Sequence, residues 1–376
     1  MVVSGSTLDV ELLSQLLLAG FGTSSSPRND FRDDKFAPLD DRLLDHLYQL
    51  DLAGLETIKS LADSNHVVVR TFNPLQHLLT ELGRNDLTKS VAQILRAEED
   101  RINKATDSLQ TICTRLETKG CPVIVIKSLD HWPDLGSDLD LYTSAHSRDV
   151  IEQMKSCFSA KPTERSWGDR LAGKWNFEVP GLAELVEIHV GRLGQMGEQT
   201  AVTLSLASRS RTVQANGRLF RVAAPEDRIV ISTLQRMYRH FYIRLCDVFD
   251  NGVLIKSGAV DFEYLRSLGQ RAGLWDGIAT YLAVIAQYTE AYSGQRLELP
   301  SFVTQSARIG VNEISFQRQF LRVPIVPHGV ALYARELKIL LARGDFRNSF
   351  RLSLMPGLAT AAAVGMKITG SDKGIW

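Results

Sequence analysis

An excess of charge of either sign is missing from this chain. Lysine and arginine together number 43, and so do aspartate and glutamate. No global field therefore favours nucleic acid or an anionic membrane. Cysteine is scarce. Cys113, Cys121, Cys157 and Cys246 show no C-x-x-C spacing and read as reduced, mostly buried thiols in a reducing compartment. A membrane-length apolar run is lacking too. "LSLMPGLATAAAVGM" is too short for a span and contains Pro356 and two glycines. The earlier run "LLSQLLLAGFG" follows Asp9 and Glu11 rather than basic residues, so it reads as an amphipathic helix and not a signal peptide. A cytoplasmic protein is expected. Internal repeats and low-complexity blocks are absent.

What is there divides into three regions, as a length of 376 residues suggests. Residues 1–120 read as helical. Leu43, Leu44, Leu47 and Leu50 fall at helical spacing, and "GTSSSPRND" before them reads as a flexible connection. Residues 85–120 predict a long helix or a helix pair, capped by Asn85 or Asp86 and stopped by Gly120. Residues 121–224 change character. "PVIVI" suits a strand covered on both faces, while "DLDLY", "KWNFEV" and "ELVEIHV" alternate. Asn216-Gly217 between two alternating runs predicts a hairpin. A helix is expected near 147–158. Residues 225–376 return to helix, with Pro225 at a tolerant first position of a segment running to about 255. Further helices are expected around 260–272 and 275–293, then a helical tail broken at Pro324 and Pro327. The fold class expected is α+β: a mixed β-sheet core between helical N-terminal and C-terminal segments.

The sheet region carries the chemistry. In "VIVIKSLDHWPDLGSDLDLYTSA" a buried-type strand turns at Lys127-Ser128 and returns as Asp138-Leu139-Asp140-Leu141. Residues i and i+2 of a strand share a face, roughly 7 Å apart. Asp138 and Asp140 therefore project together, and two such carboxylates repel unless a cation separates them. A divalent ion with oxygen ligands resolves the conflict. In "ELVEIHV", Glu187 and His189 share one face, with Val186, Ile188 and Val190 on the other. Glu187 is the candidate third acid. Ser128 is placed to cap a short helical turn whose free N–H groups suit a phosphate, and Lys127 adds a point charge.

At these residues the chain resembles the nucleotidyltransferase superfamily, of polymerase-β-like fold. That pattern is a small-residue turn, an acid pair about ten residues later, and a third acid on a later strand. More narrowly, "IKS", "DLDLY", "VEIHV" and "RHFYIRLCD" resemble the uncharacterised bacterial nucleotidyltransferases with a K-G…D-x-D…V-E-x-H pattern and a late H…R-L-R-D helix. The resemblance covers residues 121 to about 255. It implies a nucleotidyltransferase core and Mg²⁺ (or Mn²⁺) held by Asp138, Asp140 and Glu187. It implies a nucleoside triphosphate (NTP) as substrate, with Lys127, Ser128, Ser137 and Arg244 near its phosphates. A nucleoside monophosphate would pass to an acceptor hydroxyl or phosphate on a small molecule, sugar, RNA or protein. Lys127 departs from the superfamily's usual glycine, Ser128 from the narrower group's glycine, and Pro133 shortens the turn's helix.

Three further groups carry two readings each. His240, Arg244 and Asp247, at helical spacing on one face, either approach the site or brace helix to sheet. Arg165, Arg170 and Lys174 either receive an anionic substrate or form a solvated loop. His189 either orients Glu187 or is a structural histidine. The remaining histidines and Trp132 and Trp167 show no usable spacing. Two rival functions stand beside the first: a D-x-D metal-dependent glycosyltransferase, and a degenerate nucleotidyltransferase-like binding module without catalysis.

Overall fold

A computed structural model of the chain describes residues 6–22, 39–317 and 319–369. Residues 23–30 of the expected connection lie outside these. The 85–120 segment forms one helix, Asn85–Thr118, of 34 residues and so roughly 50 Å long. Leu87, Val91, Leu95, Ile102, Leu109, Ile112 and Leu116 make its buried stripe. Neither Asn85 nor Asp86 caps it: Arg84 takes the cap position with no side-chain bond. Gly120, at φ +79°, turns the chain out of the helix into the sheet, a conformation glycine adopts without a Cβ clash.

The core is a mixed seven-stranded sheet. Its strands are β1 (Val123–Val125), β2 (Asp138–Thr143), β3 (Lys161–Pro162), β4 (Lys174–Glu178), β5 (Leu185–Val190), β6 (Arg211–Ala215) and β7 (Arg218–Val222). Spatial order is β3-β4-β5-β2-β1-β7-β6. β2 lies parallel to β5 and antiparallel to β1, and β4 lies antiparallel to β5. Asn216 and Gly217, at φ +49° and +71°, form the expected hairpin between β6 and β7.

Alternation divides the sheet's residues between two cores. Leu139, Leu141, Val186, Ile188 and Phe177 pack with Val123 and Val125 against the long helix and the helix Ser147–Phe158. Ile124, Ile126 and Tyr142 face the other way, into an apolar cluster shared with N-terminal and C-terminal helices. That second face also carries the acids.

Residues 225–255 are not one helix. Pro225–Thr233 is α-helical, Leu234–His240 widens into π-type turns, and Phe241 turns to φ +54°. A short strand β8 (Tyr242–Ile243) follows, before a new helix at Leu245–Lys256. β8 joins β10 (Phe320–Arg322), which pairs with β9 (Ser315–Gln317) in a second, three-stranded sheet. Tyr242 stacks on Phe320 with ring centres 4.2 Å apart. This long-range pairing overrides local helix propensity. His240, Arg244 and Asp247 therefore do not share one helix face. Among the described residues, no helix is long and apolar enough to cross a membrane.

Candidate active site

The turn after β1 builds the site. Ile126 N donates to Asp140 O at 3.0 Å, holding β1 against β2 past its last paired residue. Lys127 then adopts φ +64° and ψ −57°, and Ser128 N donates to Ile126 O at 2.7 Å. This is a γ-turn of the rarer positive-φ kind, costly for a residue with a side chain. The geometry accounts for a glycine fitting this position.

Ser128 does not cap the short turn Ser128–His131. Its hydroxyl instead accepts from Asp140 N at 2.6 Å and donates to Asp138 O at 3.2 Å. It fixes the backbone of the acid pair and is itself buried. A phosphate contact by its Oγ is correspondingly restricted.

Asp140 and Glu187 stand level on the adjacent parallel strands β2 and β5. Both are buried. Asp138 shares their face one residue pair further along and is half-buried, with Ser137 Oγ 3.5 Å from its carboxylate. Asp140, Glu187 and His189 offer ligand atoms that all lie within 4.8 Å of one another. Asp138 is not part of that tighter group.

Two lysines reach into the acids. Lys127 Nζ contacts Asp140 Oδ1 and lies 3.3 Å from Glu187 Oε1. Lys174, opposite His189 on β4, contacts Glu187 Oε2 and lies 3.8 Å from Asp169. Burial works against the Lys127 charge, but Asp140 and Glu187 outweigh it and hold the ammonium above its usual range. Burial also works against the Glu187 charge; Lys127, His189 and Lys174 nevertheless hold this carboxyl well below its usual range. Asp140 is pushed up by burial, with the Glu187 charge adding to the push and Lys127 opposing it. Asp138 is pushed up by burial and by Glu187.

His189 donates no charge here. Burial holds its pKa down to about 4, against the pull of Glu187. Its Nε2 lies 2.8 Å from Glu187 Oε1, while its buried Nδ1 has no hydrogen-bond partner among the described residues. A neutral ring donating from Nε2 leaves Nδ1 as a lone pair. The histidine therefore orients Glu187 and keeps one acceptor free.

A cluster of cations surrounds His240. Burial pushes His240 down to about 2, and Arg239, Arg236, Arg244 and Lys127 add to the effect. Arg236 is committed to Asp247 at 2.6 Å. Arg244 lies 3.4 Å from His66 Nδ1; its buried Nε and that of Arg239 have no hydrogen-bond partner among the described residues. Asp247 also accepts from Arg244 N at 2.8 Å, so it braces the start of its helix.

The stretch around Arg165, Arg170 and Lys174, read either as a receiver of an anionic substrate or as a solvated loop, contains a helix, Trp167–Ala172, with Ser166 and Asp169 forming a capping box. Of the three cations, Lys174 joins the acids. Arg165 stacks 3.9 Å over Trp175, whose strand position faces away from Glu187, and Arg170 lies over the exposed Trp167. Sequence reasoning placed Lys127 on phosphate and missed its contact with the acids. The alternation of "KWNFEV" held the signal for Lys174, since it puts residues 174 and 176 on one face.

No protein-family model matches the chain, and no curated protein matches it significantly. Among solved structures, an antigenic nucleotidyltransferase-like protein from Paracoccidioides brasiliensis is similar over 55% of this chain and 98% of that one. Sequence identity is 14% and the TM-score 0.34. A likeness that distant does not support a function for this chain.

Proposed function

We propose that this chain is a divalent-metal-dependent nucleotidyltransferase, moving a nucleoside monophosphate from an NTP to an acceptor hydroxyl or phosphate. The observation that carries the reading is the buried, level pair Asp140 and Glu187, with Arg239 close enough to Lys127 for its charge to act on that ammonium. Acids for a cation next to donors for an anion suit a metal-bound triphosphate.

The donor set fits Mg²⁺ (or Mn²⁺). Asp140 and Glu187 supply hard oxygens, His189 offers one ring nitrogen within 4.8 Å of them, and Asp138 adds a carboxylate on the same sheet face. When bound, such an ion stabilises charge on the phosphates and acidifies the acceptor hydroxyl. Lys127 Nζ stands where a cation is wanted and must leave the carboxylates; the NTP phosphates are its next partner. Ser128 holds the Asp138–Asp140 backbone, and on this reading Ser137 and Arg244 are assigned to phosphate oxygens. Asp138 opens its strand, unlike the strand-ending acid pair of a nucleotide-sugar glycosyltransferase.

A second reading has its own support. Lys127 and Lys174 already neutralise Asp140 and Glu187, as in a binding module that has lost catalysis. Two measurements separate them. Label transfer from each triphosphate should fall by ~10²-fold or more in Asp140→Ala; transfer undiminished in that variant rules out the assignment. Calorimetry with Mg²⁺ and each triphosphate should show binding; nucleotide binding without transfer favours the module.

A further inference from the structure

A second constellation lies apart from the acidic one. His66, His131 and Cys246 offer ligand atoms within 4.8 Å of one another. They come from three separate segments: the loop before the helix Val68–Glu81, the turn after β1, and the first turn of the helix Leu245–Lys256. We propose that they bind one zinc-class divalent ion through two imidazoles and a thiolate, with water in the fourth position.

The geometry suits this ion. Zn–S of about 2.3 Å and Zn–N of about 2.0 Å at a tetrahedral angle put N and S roughly 3.6 Å apart. Cys246 Sγ lies 3.8 Å from His131 Nε2. The far nitrogen of the same ring, His131 Nδ1, lies 2.5 Å from Asp250 Oδ2. A carboxylate on the far nitrogen is the arrangement that fixes the tautomer and raises the basicity of a metal-ligating histidine. Asp250 is itself held by Arg70 Nη1 at 2.6 Å.

The segments are tied together without the ion. Asn65 Oδ1 accepts from Leu245 N at 3.0 Å, and Asn65 O accepts from Cys246 N at 3.4 Å. His66 and Cys246 are thus fixed next to each other by backbone bonds. Gly136 completes the pocket: a Cβ there would come within 3.0 Å of the His66 ring. Arg244 Nη1, 3.4 Å from His66 Nδ1, is a long contact that an ion can replace. His66 is only half-buried, which leaves an entry path. Soft sulfur and imidazole donors select zinc or cobalt over magnesium, so this site and the acidic one differ in the ion they take.

The test uses the full chain, purified, stripped with chelator and titrated with Zn²⁺ or Co²⁺. Elemental analysis should find one tightly held zinc, and Co²⁺ should give a thiolate-to-metal charge-transfer band with tetrahedral visible bands. Cys246→Ser should abolish the charge-transfer band, Asp250→Asn should weaken affinity by about 10–100-fold, and Asp140→Asn should leave both intact. A folded wild-type chain with no retained zinc and no thiolate band overturns the proposal. So does Co²⁺ binding unchanged in Asp250→Asn, the variant that decides the matter if Cys246→Ser does not fold. Neither result depends on nucleotidyl transfer.

Discussion

Replacing Lys127 with methionine removes the ammonium from between Asp140 and Glu187 while keeping most of the stem's volume. Lys127 and both carboxylates are largely shielded from solvent. Removing one partner of a buried ion pair costs about 3–5 kcal/mol. Asp140, already pushed up by burial and Glu187, takes a proton in response, so the loss should fall at the lower end, about 3 kcal/mol. The positive φ at residue 127 is unchanged by the substitution, so its strain cancels in the comparison. Without the ammonium, the two acids become a better cation site. An ion at 100 times its Kd should restore about 2.7 kcal/mol. Urea unfolding followed by tryptophan fluorescence at pH 7.5, in chelator and then in Mn²⁺, measures both numbers. Wild type should gain less from Mn²⁺ because the ion must displace Lys127. A K127M variant as stable as wild type would show that the ammonium does not compensate the acids. One that loses stability and recovers nothing in Mn²⁺ would refute the cation site.

Other perturbations follow from the same contacts. Ser128→Ala strips the buried Asp140 N–H of its acceptor; about 1–3 kcal/mol of stability should be lost in urea unfolding, along with label transfer, because the acid pair loses its backbone anchor. Arg70→Met uncouples Asp250 and Asp134, to which Arg70 lies at 2.6 and 3.8 Å; a loss of about 3–5 kcal/mol is expected. Asp227→Asn should stabilise the chain above pH 6. Burial raises Asp227 to about 6 from 3.8, against the Ser205 bond and Arg209, and its Oδ2 has no hydrogen-bond partner among the described residues. Below the unfolded value both states hold the proton and nothing is lost. As pH rises from 3.8 to about 6 the unfolded chain ionises first, and stability falls by up to about 3 kcal/mol. Asparagine keeps an acceptor for the Ser205 hydroxyl, 2.5 Å from Oδ1, and cannot ionise. Its gain, about 1–3 kcal/mol at pH 7.5, should vanish below pH 4; a gain independent of pH would be inconsistent with ionisation as the cause.

Periodicity made most of the sheet legible. The alternating runs became β2, β4 and β5, and Asn216-Gly217 became a hairpin, because both signals are local. The 225–255 segment failed for the opposite reason. Its hydrophobic spacing is helical throughout, but Tyr242–Ile243 pairs with a strand about 80 residues away, and Phe241 turns to φ +54° to permit it. Nothing near residue 242 in the sequence announces Phe320. The helix Trp167–Ala172 was readable in principle, since Ser166 and Asp169 stand at capping-box spacing.

The acids were legible because a strand's period of two is rigid: Asp138 with Asp140 and Glu187 with His189 had to share faces once β2 and β5 formed. That β2 and β5 are neighbours, level at Asp140 and Glu187, is a matter of sheet order and not of pattern. Lys127 is the harder case. As the last residue of a strand it would point with Val125, into the core of Leu139 and Leu141. A positive φ turns it to the other face, onto the carboxylates. The residue type hid this, since lysine rarely adopts such a φ. The strain is therefore informative: a lysine in a turn suited to glycine places a positive charge beside two acids. That charge serves either as a resident counter-ion or as a phosphate ligand once a metal takes its place, and the response of K127M to Mn²⁺ separates the two.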